Sequence, residues 1–253
     1  MNEALLDLLK RNSWNGGLEH LEVIVANELG KGWGTGSIQH EVACCLSFVT
    51  PNVVIDIGAN KGLYTEQLLA RLPNAQYHLF EPAQANVVVL DEKFSTMPNV
   101  TVHRFALSNN DSSSTLYADT PGSGLASLTK RRLDHFNIHM TCEETIQTKR
   151  FDCVWTDSEA LIDYVKIDVE GHELDVLEGF GELIAKVKLI QFEFGGCNID
   201  TRTFFQDFWY FFTQRNFKLY RISPIGIIPI TRYSEYDEFF STTNYIAVNH
   251  DLI

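Results

Sequence analysis

Residues 53–62, VVIDIGANKG, constrain this chain more than any other segment. Apolar residues lead into an acid, then a glycine, then a second glycine four residues on. The pattern predicts a buried parallel strand running into a tight turn and a helix start. In open α/β sheets ligands bind at the carboxyl ends of such strands. Gly58 would let a ligand approach bare backbone, and Gly62 would let the next helix pack close. Asp56 would then sit on the pocket floor as a fixed negative charge. A pyrophosphate would avoid that acid, whereas an ammonium group would favour it.

A second signal follows at a telling distance. Residues 75–82, AQYHLFEP, read as another short strand ending in an acid, and Glu81 lies 19 residues after Gly62. An acid at that place accepts hydrogen bonds from ribose hydroxyls in nucleotide-binding sheets. Pro82 stops the strand because it has no N–H to donate.

The chain has 253 residues and 45% apolar content, which suits one α/β domain with its own core. Its formal net charge of −13 argues against nucleic-acid and anionic-membrane partners, which call for basic patches. No apolar run approaches the ~18 residues of a membrane span. Residues 1–12 read as an amphipathic helix rather than a signal peptide. Five cysteines, Cys44, Cys45, Cys142, Cys153 and Cys197, show no C-x-x-C pair and point to reduced thiols in a cytoplasm.

Residues 1–50 read as a helical extension. Leu5, Leu6, Leu8 and Leu9 form one apolar stripe, and Leu18, Leu21, Val25 and Leu29 form another. Between them and the next helix, GKGWGTGS carries four glycines and reads as a flexible loop around Trp33. The α/β domain occupies residues 51–253. Strands are expected at 53–58, 76–80, 100–106, 164–169, 189–194, 218–222 and 244–248, seven in all. Helices are expected at 63–72, 83–94, from 172, and at 203–216. The last carries FFQDFWYFF, read as core. Residues 109–163 break the rhythm with two polar loops and short β-like pieces, and an insertion of this kind decorates the ligand face.

The second constellation is YVKIDVEGHELDVLEG at 164–179. Val165, Ile167 and Val169 alternate with Lys166, Asp168 and Glu170, so a strand delivers the two acids to its end. His172 and Glu173 open the following helix, where Glu173 suits the positive dipole. The next strand ends at Glu193. Acids therefore gather at four strand ends, which a cationic or polyhydroxylated ligand explains better than chance.

In this order, VIDIGANKGLYT, LFEP, FALSN, SGLASL, YVKIDVEGHELDVLEG and LIQFEF resemble the FkbM family of S-adenosylmethionine-dependent methyltransferases. The resemblance covers residues 53–194. It implies a Rossmann-like class I methyltransferase fold, with a seven-stranded, mostly parallel sheet and an antiparallel last strand. It implies S-adenosyl-L-methionine as cofactor. Asp56 would suit its ammonium, Gly58, Ala59, Asn60 and Gly62 its methionine half, and Glu81 its ribose. Leu107 and Ser108 would lie beside adenine, and Asp168 near the reacting methyl. Glu41 matches an acid that often precedes the first strand in the family. The family implies methylation of a hydroxyl on a sugar or natural-product small molecule.

Moving a methyl group to a hydroxyl requires alignment of donor and acceptor, and a base to take the proton. The candidates are His172, Glu170 and Asp168; Asp168 and Glu170 could instead hold a divalent cation such as Mg²⁺ that acidifies the hydroxyl. Two rival functions stay open: a non-catalytic module that binds the cofactor, and a dinucleotide-dependent oxidoreductase. The latter is disfavoured because G-A-N-K-G is not G-x-G-x-x-G and an acid precedes the glycine.

Overall fold

The computed structural model describes residues 16–34, 36–157 and 159–253. The stripe expected at Leu5–Leu9 lies outside them. Helix α1 (Gly16–Glu28) and helix α2 (Ile38–Leu46) precede strand β1 (Val53–Ile57), with the glycine-rich turn between them. Helix α3 (Leu63–Leu69), β2 (Gln76–Phe80), α4 (Gln84–Phe94) and β3 (Val100–His103) follow. The insertion carries β4 (Ala106–Leu107), β5 (Ser112–Ala118), β6 (Cys142–Lys149) and α5 (Phe151–Val154). The chain then alternates through β7 (Ile162–Ile167), α6 (Glu173–Gly179), β8 (Val187–Phe194), α7 (Cys197–Thr201) and α8 (Phe205–Thr213). It closes with β9 (Phe217–Ser223), β10 (Gly226–Ile230) and β11 (Thr243–Asn249).

The main sheet runs β3-β2-β1-β7-β8-β11-β9-β10. β1 lies parallel to β2 and β7, β2 to β3, and β7 to β8, whereas β11 is antiparallel to both β8 and β9. The order reverses direction at β1, so the crevice outside the carboxyl ends of β1 and β7 is the ligand position of an open α/β sheet. This is the class I methyltransferase arrangement, with the antiparallel last strand in place.

Two expectations on strands need correction. The sheet has eight strands, because β10 pairs with β9 as an edge hairpin. Pro229 hid it: proline cannot donate to a ladder, yet an edge strand tolerates it. The expected strand 100–106 is also split. Only Val100–His103 joins the main sheet, while Ala106–Leu107 pairs with β6 in a separate three-stranded sheet ordered β4-β6-β5.

Alternation along the strands builds a core on each face. Ile55, Ile57, Val165 and Ile167 pack with Phe205, Phe208 and Phe212, so one face of the aromatic run is core as expected, while Phe204 and Tyr210 are exposed. Val54, Tyr77, Tyr164 and Leu189 pack on the other face with Val42, Cys44 and Cys45 of α2. Helix α2 thus seals that face beside the strand ends. The α1 stripe does not pack in this way: Leu18, Leu21, Val25 and Leu29 are each at least 39% exposed. No helix of the described residues is long and apolar enough to cross a membrane, and all five cysteines are free thiols.

Candidate active site

Two adjoining clefts open at the carboxyl edge of the sheet. The first is lined by Glu81 and Pro82 after β2, Leu107 of β4, Ser127 of the insertion, and Glu170 and His172 after β7. The second is lined by Glu41 of α2, Ala59 and Lys61 of the turn after β1, Lys166, Glu193 and Asn244. Gly58, Asn60, Gly124 and Asp168 line both and mark where they meet.

The turn after β1 is held from both sides. Gly58 and Ala59 donate their N–H groups to the Phe80 carbonyl at 2.9 and 3.1 Å. Asn60, in the left-handed region at φ 48°, donates its N–H to Glu81 Oε2 at 2.8 Å. Glu81 Oε1 accepts from Ala83 N at 2.9 Å and Asn86 Nδ2 at 3.4 Å. Glu81 is therefore both a cleft wall and the clamp of the turn. Burial raises its carboxyl pKa, and the two backbone donors work against that rise. Asn86, also in the first cleft, keeps a buried Oδ1 with no hydrogen-bond partner.

Gly58 is required for a reason the sequence does not show. Its φ is +77°, and a Cβ there would sit 1.8 Å from the Asp168 carbonyl oxygen. The missing side chain admits the neighbouring strand end, not only a ligand. Gly62 lines neither cleft. It caps α3 at φ +77°, and its bare Cα admits Phe94 and Leu90 of α4.

Asp56 does not form the exposed pocket floor. It is fully buried and lines neither cleft. Its Oδ2 accepts from Thr65 Oγ1 at 2.6 Å, and its unbonded Oδ1 lies 3.8 Å from Lys166 Nζ. Lys166 also donates to Asp168 Oδ2 at 3.1 Å and stands over the Tyr64 ring. Burial opposes the Lys166 charge, but Asp168 and Asp56 outweigh it and raise its pKa. Asp56 thus reaches the cleft through Lys166, a residue that the sequence reading left without a role.

The acids after β7 and β8 form one cluster. Asp168, Glu170 and Glu193 each bring a carboxylate oxygen within 4.8 Å of the others. Glu170, at φ 55°, is ion-paired with Arg131, whose Nε lies 3.7 Å from Asp200. Glu193 has no hydrogen-bonded or ion-paired partner among the described residues. Burial and the neighbouring Asp168 charge push Glu170 up to about 8, and push Glu193 well above the usual carboxylate range. This set suits a divalent cation poorly: Lys166 already occupies Asp168 and Arg131 already occupies Glu170, so two fixed cations stand where a metal would bring two more charges.

His172 lies to one side. It lines the first cleft, with Nδ1 2.7 Å from Asp175 Oδ2 and Nε2 3.0 Å from Thr129 Oγ1. Glu173 is not a dipole partner at the surface. It is fully buried, and its Oε1 accepts from Val169 N and Gly171 N at 3.1 Å each, which fixes the acid-bearing loop. Ser108 lines a neighbouring groove with His172 and Asp175, outside the first cleft.

A buried network fixes the second cleft from behind. Gln191 of β8 accepts through Oε1 from Tyr64, from Tyr164 at 2.7 Å and from Cys45 Sγ at 3.2 Å. Its Nε2 donates to Glu41 Oε2 at 2.9 Å. Burial pushes the Glu41 carboxyl up to about 7, against the Gln191 hydrogen bond. Trp33 packs edge-on against His40, and Gly34 lines the cleft while its N–H donates to the Thr242 carbonyl at 2.7 Å. The helical extension is therefore part of the site wall.

Comparison with known proteins shows what this chain is similar to. The chain is 25% identical over 151 residues to Methyltransferase 1 of Beauveria bassiana (strain ARSEF 2860), covering 53% of this chain and 61% of that protein. It is 25% identical over 153 residues to the 2-O-methyltransferase NoeI of Sinorhizobium fredii (strain NBRC 101917 / NGR234), covering 56% of this chain and 63% of that protein. The match thus spans about three fifths of each relative. Among solved structures, methyltransferase FkbM from Methylobacillus flagellatus KT aligns with TM-score 0.48 and 16% identity, over 78% of this chain and 43% of that one. The family description "Methyltransferase FkbM domain" matches residues 56–219, more than half of the chain, and the chain belongs to that family.

Proposed function

We propose that this protein transfers a methyl group from S-adenosylmethionine to a hydroxyl of a sugar or another polyhydroxylated small molecule. The observation that carries the reading is the junction of the two clefts, where Gly58, Asn60, Gly124 and Asp168 line both. In this reading the adenosyl half takes the first cleft. Glu81 accepts from the ribose hydroxyls, and Leu107 and Pro82 flank adenine. The unbonded Oδ1 of Asn86 offers that half a further acceptor. The methionine half takes the second cleft along Gly58, Ala59 and Asn60, with Glu41 and Asp168 facing its ammonium.

The bound cofactor supplies a methyl on a positively charged sulfur. The protein aligns the acceptor oxygen with that methyl and removes the hydroxyl proton. Glu193, which lines the second cleft, is unpaired among the described residues, and burial raises its carboxyl well above the usual range, which favours holding a proton; it takes the proton, and Asp168 orients the hydroxyl. Glu170, held by Arg131, shapes the loop, and His172 with Asp175 closes the far side of the first cleft. Bound S-adenosylmethionine would supply the carbon–sulfur bond that breaks as the oxygen–carbon bond forms, with a neutral thioether as the leaving group, and Glu193 would hold the proton. No step is routed through a metal. The five free thiols support a reducing, cytoplasmic setting.

Isothermal titration of the full chain with S-adenosylhomocysteine and with NAD tests the cofactor. Release of S-adenosylhomocysteine in the presence of hydroxylated acceptors tests the reaction. NAD binding without S-adenosylhomocysteine binding would make it an oxidoreductase; cofactor binding with no turnover across the panel would make it a binding module.

A further inference from the structure

A third cleft lies on the outer side of the acid cluster, between the insertion and the segment after β8. Lys130, Arg131, Arg132 and Arg202 line it, with His135 and Phe136 beside them. Four cations share one cleft in a chain of net charge −13, so they stand out from the general surface. Two are already answered. Lys130 sits 3.0 Å from Glu143, and Arg131 bridges Glu170 and Asp200. The side chains of Arg132 and Arg202 are ion-paired with no carboxylate among the described residues, although Asp200 also lines the cleft and accepts from Arg132 N at 3.3 Å. Arg202 also holds a left-handed backbone at φ 61° after α7, a conformation that disfavours any side chain with a Cβ.

The third cleft shares a wall with the first. The Arg131 guanidinium contacts Glu170 on one side and Asp200 on the other. Thr129 lines the third cleft, while its Oγ1 meets His172 of the first. Acids lie on one side of this wall and arginines on the other. Carboxylates accept hydrogen bonds from hydroxyls, and the planar arginine fork matches phosphate oxygens two at a time. We propose that the third cleft holds a phosphate of the acceptor, which makes the acceptor a phosphorylated sugar. The proposal rests on the reading of the acceptor as a polyhydroxylated small molecule. Its phosphate contacts Arg132 and Arg202 while the hydroxyl to be methylated points toward Asp168 and Glu193. The phosphate belongs to a sugar phosphate or to a sugar nucleotide; both present the same oxygens to the arginines.

The test is calorimetric titration of the full chain, saturated with S-adenosylhomocysteine, at low salt. Inorganic pyrophosphate serves as the sugar-independent probe, with glucose, glucose 1-phosphate and UDP-glucose beside it. Pyrophosphate and glucose 1-phosphate are expected to bind at least tenfold tighter than glucose. The double variant Arg132→Gln/Arg202→Gln should weaken both at least tenfold and leave S-adenosylhomocysteine affinity within twofold. UDP-glucose binding tenfold tighter than glucose 1-phosphate would identify a sugar nucleotide, and equal binding a simple sugar phosphate. Pyrophosphate that does not bind at millimolar concentration, or binds equally well to the double variant, overturns the proposal. Failure of the wild type to bind S-adenosylhomocysteine would instead remove the reading beneath it.

Discussion

Replacing Glu81 with alanine tests the site at its most connected carboxylate. Glu81 is 5% exposed, and its two oxygens accept from Asn60 N at 2.8 Å, Ala83 N at 2.9 Å and Asn86 Nδ2 at 3.4 Å. Glu81→Ala leaves two backbone donors at the cleft wall without an acceptor. A hydrogen bond to a charged group contributes about 1.5–3 kcal/mol. Burial raises the Glu81 carboxyl pKa, so part of that gain is offset by desolvation of the ionised form. The low end of the range, summed over the two donors, gives a loss near 3 kcal/mol. That is a large part of the ~5–15 kcal/mol that holds a domain together. The same substitution removes the acceptor proposed for the ribose hydroxyls, so S-adenosylhomocysteine affinity should fall at least about tenfold. Urea unfolding by circular dichroism measures the first effect without ligand. Calorimetry below the unfolding transition measures the second. Lost stability with unchanged affinity would make Glu81 only the clamp of the Asn60 turn. Unchanged values for both would refute the hydrogen-bond argument itself.

Four further outcomes follow from the geometry. Glu41, raised from 4.5 to about 7 in the fold, adds stability that is complete below pH 4.5 and lost as pH rises through 7. Glu41→Gln should escape that loss, so its stability should gain about 3 kcal/mol on wild type between pH 4.5 and 8 in urea melts; a constant gap contradicts this. Gly58→Ala, with its Cβ 1.8 Å from the Asp168 carbonyl, should destabilise by more than about 2 kcal/mol, and a wild-type urea midpoint would disprove the contact. Glu193→Gln should slow methyl transfer at least ~100-fold with S-adenosylhomocysteine affinity nearly unchanged, and a wild-type single-turnover rate removes it as base. S-adenosylhomocysteine, whose ammonium Glu41 is proposed to face, should bind more tightly as pH rises from 5.5 to 7.5 and Glu41 ionises; a flat dissociation constant argues against that placement.

What the sequence made legible was local. A β1 turn of acid and glycines, a strand ending in Glu81 and a strand ending in Asp168 and Glu170 could each be read within a few residues. Their meeting at one sheet edge followed from the rule that ligands bind at strand ends. What escaped was set by partners far along the chain. Gln191 reaches Glu41 across 150 positions, and Arg131 reaches Glu170 across 39. No periodicity reports such pairs. Asp56 looked like a pocket floor because a strand end fixes a position, but not how deeply its side chain lies under Thr65 and Lys166. The expected strands leave out Gly226–Ile230, and an edge strand that tolerates Pro229 differs from a central one only in the assembled sheet.

The distribution of charge explains why these acids tolerate one another. Asp56, Asp168, Glu170, Glu193 and Glu41 converge on the strand ends, while Lys166 and Arg131 answer only three of them, Asp56, Asp168 and Glu170. Glu41 and Glu193 have no ion-paired cation among the described residues, and burial favours their protonated forms, as it also does for Glu170 despite Arg131. The fold therefore holds two carboxyls that are easier to ionise once a positive ligand arrives, because an opposite charge lowers a carboxyl pKa and desolvation raises it. In the proposed reaction the sulfonium supplies that charge on binding and loses it on transfer. Glu193 would ionise beside the sulfonium, become a competent base there, and take up the acceptor proton just as the sulfur turns neutral. One acid could then serve both steps without a metal, provided that the cations beside it are fixed. Lys166 and Arg131 are fixed, each with a side chain 9% exposed and bound to acids on two sides.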